Sequence, residues 1–363
     1  MAIILSTIKD AVKDVTDAYV DTYDIIDLDT INEIKKILKR HFCRLREEIN
    51  IIIETNYVDR MYRDIYYHYI STKLDSYPRN CIRISLFDVK VTEDLFYDYD
   101  TTEKVRKEKN YLGFYVLRPT FPQIIGRNVI SPGALLKEHN NFKTCTTCFS
   151  MTAAGVKFDV VGFPHTSQDG EMICCADVTI WAIMEYFGNK YPEYSIVSPS
   201  KTMSFIRSIS FERQLPTKGL YIESISYALR ELGLGPKIYS RDVYKKDFDK
   251  LFGCYIESGI PIAVAIENYS KVSRPDNNHA LVCTGHVIED FENCRKIIEE
   301  DFKEEKHNGK TIKIFDWIQS KKSLFSWTII YLFITKQHFQ NLLIIMQELK
   351  LAILLPHYIQ RYI

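Results

Sequence analysis

Four side chains in this sequence have the types and spacing of acyl-transfer chemistry: Gln168, the adjacent thiols Cys174 and Cys175, and His279. Ala176, Ile180, Ile183, Met184 and Phe187 recur at helical spacing after the thiols, and Gly188-Asn189 supplies a stop. The spacing therefore predicts a helix that begins at the cysteine pair. A thiol at a helix N-terminus faces unpaired N–H groups and the positive dipole end, which stabilise its thiolate. Gln168 stands seven residues before Cys175, where a side-chain amide can donate to a developing oxyanion. No base lies nearby in sequence. His279 is the candidate, because it opens the apolar run Ala280-Leu281-Val282-Cys283, which reads as a buried strand.

Taken singly, each residue has a plain structural reading. A buried cysteine packs as a small hydrophobe, and a core histidine is ordinarily just hydrogen-bonded. The set carries more than its members: Gln168-Asp169, Cys175-Ala176, a helix start, and His279-Ala280 downstream. These motifs resemble the papain-like cysteine peptidase superfamily, and within it the C39-like peptidase domains. There a Gln-Asp precedes a Cys-Ala pair and a Trp follows, here Trp181. The run from Tyr255 to Ile266 has the look of that family too, and the resemblance spans roughly residues 160–290.

The resemblance implies an α+β papain-like fold, with a Cys-bearing helix packed on an antiparallel sheet that carries the His. It also implies roles: Cys175 as nucleophile, His279 as general base and acid, and Gln168 as oxyanion donor. Cys175 is preferred to Cys174 because the pattern has its cysteine directly before the small residue. The implied reaction is hydrolysis of a peptide or isopeptide bond through a thioester. Acyl transfer or deamidation at the same site, or a catalytically inactive interaction module, are the alternatives. The family's third member, an Asp or Asn on the strand after the histidine strand, finds no good match. Asp290, Asp301 and Asp316 are the nearest choices, and Asp301 sits in a charged run, Glu299 to Lys306, that reads as a solvated helix face. His286 is disfavoured as base by an odd spacing from His279, which would place it on the opposite strand face, and it does not match the resembled His-Ala motif. His165 is close to Gln168 but has no assigned role.

The elements that must position these groups begin with a helical accessory region at 1–110. Residues 1–75 read as helix, with Thr30 and Glu33 at capping-box spacing and Ile31, Ile34, Leu38, Phe42, Leu45, Ile49 and Ile52 as one stripe. Cys81–Phe87 alternates apolar and polar like a short strand, and residues 97–110 read as a surface loop or boundary. The papain-like domain is then placed at 111–323. Strands are expected near 111–117 and 125–130, and helices at 222–232 and 248–258. Arg118 and Arg127 read as structural pairing partners or, less commonly, as binders of an acidic group.

The chain of 363 residues carries 47 basic and 47 acidic side chains, so no global field favours nucleic acid or an anionic membrane. Nine cysteines without a disulfide-framework spacing suit a reducing compartment, and no stretch is long enough to span a bilayer. A cytoplasmic protein acting on a peptide or protein is the expectation. Cys145-x-x-Cys148 has half of a zinc spacing but no second half, so neither a metal nor a cofactor is expected.

The segment 324–363 changes character: it has no glycine, no aspartate and only Glu348 as an acid. One reading is a hairpin of apolar helices. The other is a shifted reading frame beginning near residue 320. Trp327-Thr328 must be encoded TGG-ACN, whose frame one base back contains GAC, an aspartate codon that would restore the missing acid. Under that reading the C-terminus impairs catalysis.

Overall fold

A computed structural model describes residues 2–137, 142–153, 155–209, 220–266, 279–287, 303–307, 310–314 and 351–356. The fold is mixed α+β, with antiparallel strand pairing throughout the described sheets. The described residues form two compact units. One comprises Met1–Asn140 and Thr146–Gly235; the other comprises Asn141–Cys145 and the described residues from Pro236 onward.

The first unit opens with β1 (Ile3–Thr7), α1 (Ala11–Tyr23), α2 (Leu28–Phe42), β2 (Asn50–Tyr57) and α3 (Arg60–His68). Next come β3 (Cys81–Phe87), α4 (Asp94–Tyr97), α5 (Tyr99–Lys107), β4 (Tyr111–Leu117) and β5 (Ile125–Ile130). A short strand, β6 (Phe142–Thr144), belongs to the second unit. The chain then returns to the first through β7 (Thr147–Ala153), β8 (Val156–His165), α6 (Cys175–Lys190), α7 (Pro199–Ile209) and α8 (Ile222–Glu231). Seven strands form one sheet in the order β1-β2-β3-β4-β5-β8-β7. Strands on either side of residue 110 are thus direct neighbours, since β3 pairs with β4.

Helix α6 is the centre of this unit. Every residue from Ala176 to Phe187 is buried, and the helix packs on β7, β8, α7 and α8. An apolar helix covered all round is a core element rather than a surface one. Its amphipathic stripe of Ala176, Ile180, Ile183, Met184 and Phe187 marks only part of the covered surface.

The helical reading of residues 1–75 needs correction. The stripe holds to Phe42, but Ile49 and Ile52 belong to the approach and body of β2, not to a continued helix. The β-branched run Ile51-Ile52-Ile53 accounts for this, because branching at Cβ favours the pleated backbone. The helix cap also moves. Asp27, not Thr30, caps α2, accepting the Thr30 N–H at 2.8 Å and the Thr30 hydroxyl at 2.6 Å. Residues 97–110 are largely helical, with Asp98 capping α5 through the Thr101 N–H. Strand β3 is present over Cys81–Phe87 and is buried along its whole length. Arg83 is accommodated by pairing: it meets Glu54 of β2 at 2.6 Å and lies over the Tyr57 ring.

The second unit holds β9 (Pro236–Ser240), α9 (Arg241–Glu257), β10 (Ile262–Ile266), β11 (His279–Cys283) and β12 (Gly285–Val287). Strands β13 (Lys303–His307), β14 (Lys310–Ile314) and β15 (Leu351–Pro356) complete it. Its main sheet runs β11-β10-β15-β9, with β12–β6 and β13–β14 as two-stranded ribbons. Phe248, Phe252 and Ile256 of α9 pack on Ile262, Val264, Leu281 and Cys283.

Here, too, two readings change. The charged run ending at Lys306 is strand from Lys303, not a helix face, and pairs with β14. Leu351–Pro356 is a strand between β10 and β9 rather than part of a helical hairpin. Residues 324–350, where the frame-shift reading bears, lie outside the described residues, as do Asp290, Asp301 and Asp316.

Candidate functional site

The thiol pair sits where its spacing requires. Cys174 is the N-cap of α6 and Cys175 its first helical residue. Asp177, one turn in, accepts the Cys174 N–H at 3.0 Å, so an acid three residues past the cap satisfies one of the backbone donors left over at the helix start. The two thiols differ in surroundings. Cys174 is 8% exposed, whereas Cys175 is of intermediate exposure. A hydrogen bond with Cys175, followed by burial, pushes the Cys174 thiol far above its ordinary range. Cys174 is therefore a buried, protonated thiol at neutral pH, and Cys175 is the more exposed residue of the two.

Asp177 is itself buried, and burial followed by the neighbouring Cys174 raises its carboxyl well above the usual range. Farther along the same helix, Glu185 is fully buried but receives Arg127 at 2.6 Å and Arg60 at 3.6 Å. The structural-pairing reading of Arg127 is what the fold contains.

The loop from β8 into α6 is fixed on both sides of Gln168. Upstream, the Ser167 N–H donates to the Ile125 carbonyl at 3.2 Å, and the Ser167 carbonyl accepts from Arg118 Nη2 at 3.2 Å. Downstream, one carboxylate oxygen of Asp169 accepts three consecutive backbone N–H groups, from Glu171, Met172 and Ile173, at 2.8–2.9 Å. The Asp169 N–H closes back on the Ile173 carbonyl at 3.1 Å. Gly170 supplies the left-handed backbone this turn requires, at φ 75°. Between these anchors the Gln168 residue is exposed. Lys73 adds an ion pair to Glu171 at 2.5 Å.

Beneath the loop, His165 at the end of β8 stands 3.2 Å from the Asn128 side-chain amide. Burial, with a contribution from Arg118, lowers its imidazole to about 4, and burial lowers His41 to about 3. Both are neutral at pH 7, which removes either one as a cation at this loop.

In the second unit, His279 opens β11 opposite Ile266. The objection to His286 by strand parity does not apply, because the two histidines do not share a strand. β11 ends at Cys283, β12 begins at Gly285, and β12 pairs with β6 in a separate ribbon. Gly285 is required there, since a Cβ would lie 1.9 Å from the Lys143 carbonyl oxygen. His286 is buried, and its Nε2 lies 2.7 Å from Glu257 Oε1 at the end of α9. This imidazole–carboxylate pair had no sequence signal, because Glu257 and His286 are brought together only by the fold.

Cys145 is buried and Cys148 exposed. Among the described residues, no group of three or more His, Cys, Asp or Glu side chains is arranged to hold a metal ion. Among the same residues, no helix is long and apolar enough to cross a membrane. Comparison with protein-family models, curated proteins and solved structures finds no match to this chain.

Proposed function

We propose that this protein is a papain-like cysteine-peptidase-type hydrolase of the cytoplasm, acting on a peptide or isopeptide bond. The observation that carries the proposal is the setting of Cys175. It is a partly exposed residue at the first position of a helix buried from Ala176 to Phe187, directly after a loop whose backbone is pinned on both sides of Gln168.

In the proposed reaction, His279 takes the Cys175 proton and the sulfur attacks the acyl carbon. Negative charge collects on the former carbonyl oxygen, where Gln168 and backbone N–H groups at the start of α6 donate to it. Collapse breaks the bond to nitrogen, and the His279 proton passes to the departing amine. Water, deprotonated by the same imidazole, then attacks the thioester, releasing the acid and restoring the thiol. Amine in place of water would give acyl transfer instead.

The test is a thiol-directed electrophile with peptide-like recognition, applied to wild type and to Cys175→Ser. Labelling that is lost in Cys175→Ser, accompanied by peptide cleavage in wild type that the variant lacks, supports the proposal. Equal labelling of both proteins removes Cys175 as the nucleophile. Product that incorporates an added amine moves the assignment to acyl transfer.

A further inference from the structure

Arg118 is a buried cation whose guanidinium is spent on backbone carbonyls. It is 2% exposed, and its Nη2 donates to Gln123 at 2.9 Å and to Ser167 at 3.2 Å. Its Nε, also buried, has no hydrogen-bond partner. Burying a guanidinium carries a desolvation penalty, offset here in part by the charges of Asp169 and Asp59. The surroundings are built to hold it. The Arg118 carbonyl accepts from the Tyr19 hydroxyl at 2.6 Å, and its N–H donates to Ile124 at 2.7 Å. Its aliphatic stem crosses β5 at Gly126, where a Cβ would come within 2.9 Å of Arg118 Cγ and 3.1 Å of the Val116 carbonyl oxygen.

What the guanidinium reaches is the carbonyl immediately before Gln168. Its charge also acts favourably on Asp169, the residue immediately after it. We infer that Arg118 is a positioning residue: from inside the core it fixes the Ser167–Asp169 backbone and thereby aims the Gln168 amide at the acyl oxygen. This rests on the reading of Cys175 and Gln168 given above. Arg118 touches no reacting atom and acts only through Gln168.

The experiment compares two reactions of Cys175 in the full chain. Acylation by p-nitrophenyl acetate passes through an oxyanion, whereas alkylation by iodoacetamide does not. Arg118→Lys keeps the charge but loses the planar fork. It is expected to slow acylation about 10- to 100-fold, the scale of a misplaced catalytic group, while changing alkylation less than about threefold. The double variant Arg118→Lys/Gln168→Ala should acylate no more slowly than Gln168→Ala alone. Gly126→Ala, which displaces the Arg118 stem and leaves its chemistry intact, should reproduce the selective loss if Arg118→Lys does not fold. Additive losses in the double variant, or parallel losses in both reactions, overturn the inference and leave a purely structural arginine. A wild-type acylation rate in Arg118→Lys or Gly126→Ala, with Gln168→Ala slow, overturns it while the Cys175–Gln168 reading stands. Acylation that persists unchanged in Cys175→Ser overturns the reading itself and this inference with it.

Discussion

The two ends of α6 bury a carboxyl each and treat it in opposite ways. Glu185, near the C-terminal end, is met by Arg127 and Arg60, so its charge is neutralised by partners. Asp177, near the N-terminal end, caps Cys174 and is pushed toward its neutral form by burial and by the thiol beside it. One end is an electrostatic anchor between α6 and β5. The other is a cap that keeps charge low beside two sulfurs. The difference teaches where a helix is held and where it is left open for chemistry.

Removing the anchor should have the largest effect. Glu185→Ala strands Arg127 as a buried, uncompensated cation, and unfolding in urea should show a loss of about 3–5 kcal/mol. A loss below about 1 kcal/mol would mean the pair is no anchor. Asp169→Ala comes next. It strips the acceptor from three backbone N–H groups and should cost roughly 2–3 kcal/mol. It should also slow acylation of Cys175, because the turn that delivers the thiol loses its closure; Asp169→Asn, which retains an oxygen, should recover most of both losses.

Asp177→Asn should have the smallest effect on stability at acid pH and the most telling pH dependence. A carboxyl whose folded-state value is raised binds more protons folded than unfolded. It therefore favours the fold below about pH 4, and that contribution is lost as pH rises toward the folded value. The amide variant lacks this slope. Relative to wild type it should gain stability as pH rises above about 4, measured by denaturant titration at several pH values. The opposite slope would mean Asp177 is held charged, and the contrast with Glu185 would fail.

How much of this was legible in the sequence follows from what each signal depends on. The α6 start was legible because the stripe after Cys175 and the Gly188-Asn189 stop are local. Strands β4 and β5 were legible for the same reason. The change from α2 to β2 was not, because Leu45, Ile49 and Ile52 continue a helical spacing by coincidence while the adjacent isoleucines set a strand. Burial of Arg83 and Ser85 depends on Glu54 and on layers packed from elsewhere in the chain, so alternation in β3 located the strand but not its full burial. Asp169 was visible only as half of a Gln-Asp motif; its capture of three N–H groups is a property of the closed turn. Arg118 drew attention as an arginine, but its partners are carbonyls, which leave no mark in a sequence. The parity argument against His286 failed because a strand break at Thr284 was not apparent.

The central claim is that Cys175, not its neighbour, is the reactive sulfur. The most direct measurement is the rate of iodoacetamide alkylation at each cysteine of the native protein, resolved by peptide mass spectrometry at neutral pH. The account predicts that Cys175 is modified at least about tenfold faster than Cys174, because the Cys174 thiol is shielded and held protonated. Modification of Cys174 at an equal or greater rate would contradict it.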